Sequence, residues 1–126
     1  MHRKDFEQLV VEAIEGLPPV GKRAMENVAF VVEGRARRKK KSEVGIRRGE
    51  VLLGLYEGVP KTERGAGYFG VLPDKITIFQ RPVEEAAAGT GVPVRDVVFD
   101  VVRHEVGHHL GFDEAGIRAR EARRKK

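Results

Sequence analysis

His104-Glu105-Val106-Gly107-His108, continued by His109-Leu110-Gly111-Phe112-Asp113-Glu114, constrains this chain more than any other segment. On a helix, two histidines four positions apart project their imidazoles from one face, close enough to grip a single Zn²⁺. The glutamate between them can take a proton from a water beside that metal. Three of the four histidines fall inside this window, and a chance HExxH in a chain of this length is a roughly 1-in-100 event or rarer. The fold must therefore present this helix with its metal-binding face toward other parts of the domain.

The residues before the motif say which face that is. The helix is expected from near Pro93 to about Leu110. At about 100° per residue, Val94, Val97, Val98, Val101 and Val102 line one apolar arc, and His104, Glu105 and His108 continue it. Asp96, Asp100 and Arg103 point the other way. A buried face that ends in His, Glu and His must satisfy those groups, and a metal with its water does so directly.

A catalytic zinc keeps three protein ligands and leaves one position open. His104 and His108 supply two. Gly111 can end the helix and turn the chain back, and Glu114, three residues on, is the expected third ligand, with Asp113 as the alternative. Glu105, one position after His104 and about 100° around the helix, is expected to act as general base. His109 is either a packed imidazole supporting the ligands or a contact to substrate. Tyr56 and Tyr68 are candidates for the same two roles. One zinc per chain is expected. Cysteine is absent, so the donors must be nitrogen and oxygen.

With 126 residues the chain is bounded to one domain, 1–126, with room for a single core. Glu7, Glu12 and Glu15 interrupt the N-terminal segment, which reads as neither signal peptide nor membrane span, so a cytoplasmic location is the expectation. Asn27 is the only asparagine and Gln8 and Gln80 the only glutamines, a balance that suits a thermophile. The net charge of +5 is concentrated in two places. Arg35 to Lys41, extended by Arg47 and Arg48, lies in a stretch (34–49) without apolar periodicity, expected to be a mobile basic loop. Residues 118–126 form a basic tail. Such blocks attract phosphate backbones, but no aromatic residue is interleaved to stack on bases. A solvated loop and tail are therefore favoured over a nucleic-acid surface.

Phe6, Leu9, Val10, Ala13, Ile14 and Leu17 predict an amphipathic helix over 5–16, ended by Gly16 and Pro18-Pro19. Val28–Val32, Val51–Tyr56 and Lys75–Gln80 read as strands, and residues 57–74, with four glycines and two prolines, as a long irregular loop. A short helix is expected from Pro82, with Glu84 and Glu85 in its first turn. The Lys75–Gln80 strand is the expected sheet edge along which an extended peptide would pair. Pairing on both of its sides would remove this basis for a peptide substrate and move weight toward a nuclease or a binding module.

At these residues the chain resembles the zincin signature in its metzincin-like form, HExxHxxGxx followed by a ligand, with Glu114 where metzincins carry histidine or aspartate. More of the chain is similar to a small bacterial zincin-like metallopeptidase family. The matching stretches are Leu52 to Pro60 (LLGLYEGVP), Leu72 to Phe79 (LPDKITIF) and His104 to Gly111. The resemblance implies an α+β fold: a minimal zincin with a small sheet of about three to four strands, an N-terminal helix and a metal-binding active-site helix. It also implies one metal site and peptidase activity on a peptide or protein substrate. Two departures stand out. That family tends to place Ser-Asp-Glu after the glycine and one apolar residue, whereas Asp113-Glu114 follow Phe112 directly. The only methionines, Met1 and Met25, lie upstream of the motif, so the methionine turn of true metzincins has no counterpart.

His104-x₃-His108-x₂-Gly111-Phe112-Asp113-Glu114 is also similar to the HGxLHLxGYDH motif of the bacterial ribosomal-RNA maturation endonucleases. That family lacks a glutamate equivalent to Glu105. The alternatives to a peptidase are thus a metal-dependent RNA hydrolase, which the basic blocks would suit, or a metal-holding binding module without turnover.

Overall fold

The computed structural model describes residues 1–37, 51–58 and 74–109. The elements run α1 (Arg3–Glu15), α2 (Pro19–Ala24), β1 (Val28–Glu33), β2 (Gly54–Glu57), β3 (Asp74–Phe79), α3 (Gln80–Thr90) and α4 (Val94–His109). Four helices accompany a three-stranded mixed sheet, which is the expected α+β class.

Helix α1 forms where the apolar spacing predicts, because Phe6, Val10 and Ala13 fall on one buried face and burying that face is what makes a short helix stable. Its cap is Gly16, whose N–H reaches the carbonyl of Glu12 at 2.9 Å. Pro18-Pro19 stops α1 but also starts α2. Pro19 sits at the first helical positions, where its fixed φ and missing N–H cost nothing. Sequence reasoning read the pair only as a terminator and so missed this six-residue helix.

The sheet order is β1-β3-β2. β1 pairs with β3 in parallel, Val28 opposite Asp74 through Glu33 opposite Phe79. β2 pairs with β3 antiparallel, Gly54 opposite Ile78 and Glu57 opposite Lys75. β3 is therefore the central strand, and the expectation that Lys75–Gln80 forms an edge is wrong. The physical reason lies in its side chains. Ile76 and Ile78 are buried on one face and Thr77 and Phe79 on the other, and a strand covered on both faces belongs in the interior of a sheet. Among the described residues the edges are β1 and β2. β2 is shorter than the run Val51–Tyr56 suggests, and Val51 is exposed.

Helix α3 begins at Gln80, directly after β3, so Pro82 lies within its first turn and Glu84 and Glu85 fall beyond it. Gln80 is buried and donates from Nε2 to the carbonyl of Met1 at 2.8 Å. Helix α4 packs against α1, α3, β2 and β3, with Val98 and Val102 fully buried between Phe6 and Val10 of α1 and Ile76 and Ile78 of β3. Each such side chain contributes about 1.5–3 kcal/mol by leaving water. The helix that carries the motif is thus anchored in the core. No described helix is long and apolar enough to cross a membrane.

Candidate metal centre

Helix α4 carries the motif residues His104 to His109 over about a turn and a half. The valine stripe leads into Glu105, Val106 and His109, all buried, while His104 and His108 flank the stripe half-buried. One helical turn separates the two histidines, and their rings lie 4.8 Å apart between centroids, tilted by 50°. Glu105 sits beside them, its Oε1 3.8 Å from Nδ1 of His108. The helical spacing predicts these three side chains side by side, but it puts all of them on the buried arc, whereas only Glu105 is buried and the two imidazoles stand half-buried at its edge.

Glu105 is buried because β2 approaches α4 unusually closely. A Cβ built on Gly54 would lie 2.7 Å from Cγ1 of Val101 and 3.2 Å from Cγ of Glu105. Only a glycine lets the strand backbone come this near, so Gly54 sets the distance between the strand and the face carrying Glu105.

His109 points away from the other two histidines, into the protein. Its Nδ1 lies 2.8 Å from Oδ2 of Asp74, and both side chains are only 2 % exposed. The same Oδ2 accepts a hydrogen bond from the Tyr56 hydroxyl at 3.0 Å, and the Tyr56 ring meets the His109 ring edge-on with centroids 5.5 Å apart. Gly58 leaves room for the carboxylate, since a Cβ there would fall 2.4 Å from Oδ1 of Asp74. One buried acid, the first residue of β3, therefore meets α4 through His109 and β2 through Tyr56. Asp74 was not singled out from the sequence. The available signal was a carboxylate opening an otherwise apolar strand, Asp74 before Ile76, Ile78 and Phe79.

Tyr68, Asp113 and Glu114 lie outside the described residues, as do the basic tail and all but the first four residues of the 34–49 stretch. Among the described residues no third His, Asp or Glu joins His104 and His108 to complete a metal-binding group. The donors that are present fit zinc, with two imidazoles on one helix face, oxygen rather than sulfur nearby and a carboxylate close behind.

The zincin-like metallopeptidase family model matches residues 25–124, and the chain belongs to that family. Among solved structures, a conserved hypothetical protein from Thermo thermophilus is similar at 24% identity with a TM-score of 0.59, over 97% of this chain and 99% of that one. That likeness shows a shared fold. No curated protein matches the sequence. Family membership places the chain among zinc metallohydrolases in general.

Proposed function

We propose that this protein is a zinc peptidase in which His104, His108 and Glu114 hold one metal ion, with Asp113 as the alternative third ligand, and Glu105 is the general base. The observation that carries this reading is the pair of half-buried imidazoles on one turn of α4 with the buried Glu105 carboxylate 3.8 Å from His108. A zinc ion bound there supplies a Lewis acid for the substrate carbonyl and makes a neighbouring water easier to deprotonate. Glu105 takes the proton from the attacking water on Oε1 or Oε2. As the hydroxyl adds to the carbonyl carbon and the C–N bond breaks, the same carboxyl returns the proton to the amine nitrogen, so the residue ends as it began. Burial against Gly54 and Val101 restricts its rotamers, which favours transfer along one direction.

The central position of β3 removes it as the strand on which a peptide would lie and moves weight toward the hydrolase and binding-module readings. The peptidase reading is kept on β2, the edge beside α4. The Phe79 N–H donates to the carbonyl of Leu53 at 2.9 Å. Alternation along an antiparallel ladder then turns the main-chain groups of Gly54 and Tyr56 to the outer side. An extended peptide pairing there would run past the end of α4 that bears His104 and His108. Its substrate would be met in the cytoplasm.

The test is metal analysis of the purified protein, followed by digestion of a peptide library and of structured RNA under the same conditions. Stoichiometric zinc with peptide cleavage that Glu105→Gln abolishes supports the proposal. Cleavage of RNA alone would replace it with the hydrolase reading, and zinc without turnover on either substrate with the binding-module reading.

A further inference from the structure

We infer that Asp74, acting through His109, is a positioning residue for the metal centre, and that the Tyr56–Asp74–His109 cluster holds the turn of α4 that carries His108. The inference rests on the metal reading above, because His108 is one of its proposed ligands.

Three observations support it. First, the cluster is polar where an apolar one would fold as well. Replacing a buried ionisable pair by hydrophobic groups is often neutral or stabilising, so what Asp74 and His109 add is a fixed polar contact between α4 and β3. A carboxylate oxygen 2.8 Å from an imidazole nitrogen, with both side chains 2 % exposed, pins the two elements at one point in a way that methyl packing does not. Second, the cluster acts at the right place. His109 lies on α4 as the immediate neighbour of His108. Asp74 is the first residue of β3, paired to Val28 of β1, and its Oδ2 also takes the Tyr56 hydroxyl from β2. This turn of α4 is therefore tied to the sheet through one carboxylate. Third, the surroundings are shaped for that carboxylate. Gly58 stands where any side chain would meet Asp74 Oδ1, at a Cβ distance of 2.4 Å.

Metal ligands must be held to within about 0.5 Å of their productive positions by side chains that are themselves held. Groups that orient ligands typically change metal affinity by about 10–100-fold when removed. Asp74 and His109 touch no substrate in this scheme. They act by holding this turn of α4, and through it the His108 ring.

The experiment compares wild type with Asp74→Asn, His109→Gln and Tyr56→Phe. Asp74→Asn preserves volume and an acceptor for Tyr56 but removes the charge facing His109. The readouts are zinc affinity by competition with a chromophoric chelator, the visible spectrum of the cobalt-loaded protein, and melting temperature of the metal-free form. Val10→Ala, a buried core change on α1 away from the site, is the control for destabilisation alone. Asp74→Asn and His109→Gln are expected to weaken zinc binding about 10–100-fold and alter the cobalt spectrum, whereas Val10→Ala lowers the melting temperature with both metal readouts unchanged. Tyr56→Phe removes one part-buried hydrogen bond and is expected to move both metal readouts in the same direction by a smaller factor, so it serves if the other variants fail to fold. Folded Asp74→Asn with wild-type affinity and spectrum overturns the inference and makes the cluster a packing element. Wild-type protein that takes up neither ion overturns the metal centre itself, a result distinct from the first.

Discussion

Substituting alanine for Gly54 tests how the approach of β2 to α4 controls the site. The added Cβ would stand 2.7 Å from Val101 Cγ1, where ordinary contact begins near 3.4 Å, so it is about 0.7 Å too close. Val101 is buried in the core, so the strand or the helix must shift to admit the new methyl. Overpacking of this kind costs about 1–3 kcal/mol. The lower entropy of the unfolded alanine chain offsets about 0.4–1 kcal/mol, which leaves a net loss of about 1–2 kcal/mol. For a domain of this size the melting temperature should fall by roughly 3–10 °C in a thermal scan followed by circular dichroism. Val101→Ala alone removes two buried methyl groups and should cost about 1.5–3 kcal/mol. In the double variant the new methyl occupies space that Val101 vacated. The combined loss should therefore be smaller than the sum by about 1 kcal/mol or more. Zinc affinity should follow the same pattern, falling in Gly54→Ala as α4 is pushed outward and recovering in the double variant. Strictly additive stabilities, or a Gly54→Ala protein that melts at or above wild type, would refute the close-approach argument.

Three further outcomes are expected. His104→Ala and His108→Ala should each abolish stoichiometric zinc in elemental analysis, and retention by both would remove the metal centre; Glu114→Ala and Asp113→Ala, measured side by side, identify the third ligand by which one loses the ion. Glu105→Gln should keep the zinc and lose hydrolysis by about two orders of magnitude or more, and unchanged turnover would eliminate Glu105 as the base. The exposed Arg35–Glu85 pair makes a pH prediction: the Arg35 hydrogen bond holds the Glu85 carboxyl below the ordinary carboxylate range. The unfolded chain therefore takes up that proton at higher pH than the folded one. The pair's stabilisation is present in full above the ordinary range and is lost as pH falls through the lowered value. Melting curves of wild type and Glu85→Gln should converge on acidification, and also in high salt because the pair is exposed; a gap that widens toward low pH contradicts this sign.

Helix α4 and its buried face were legible in the sequence because helical periodicity is local. Val98, Val101 and Val102 repeat at the helical spacing whatever they pack against, and Glu105 and His108 inherit their direction from the same rotation. The two-imidazole geometry needs nothing beyond one turn of helix. The same holds for α1 and for the existence of the three strands. The order of the strands was not legible. Alternation along Lys75–Gln80 says that side chains point two ways, but whether both faces are covered depends on what the rest of the chain brings to them. Thr77 and Phe79 are buried in the fold although their residue types fit an edge strand as well. Composition likewise could not distinguish the two uses of Pro18-Pro19, since a proline that ends one helix suits the first turn of the next.

His104, Glu105 and His108 were written within five consecutive residues, and helix geometry alone was enough to bring them together. What surrounds it was decided by contacts between residues far apart in the chain. Asp74 and His109 are thirty-five positions apart, and only the packing of α4 across the sheet brings them to 2.8 Å. Gly54 reads in the sequence as a weak point in a strand, and its purpose is visible only where Val101 and Glu105 press against it. Long-range polar pairs and close backbone approaches leave no periodic signature, because nothing in either segment repeats. They exist only once the core has chosen which faces meet.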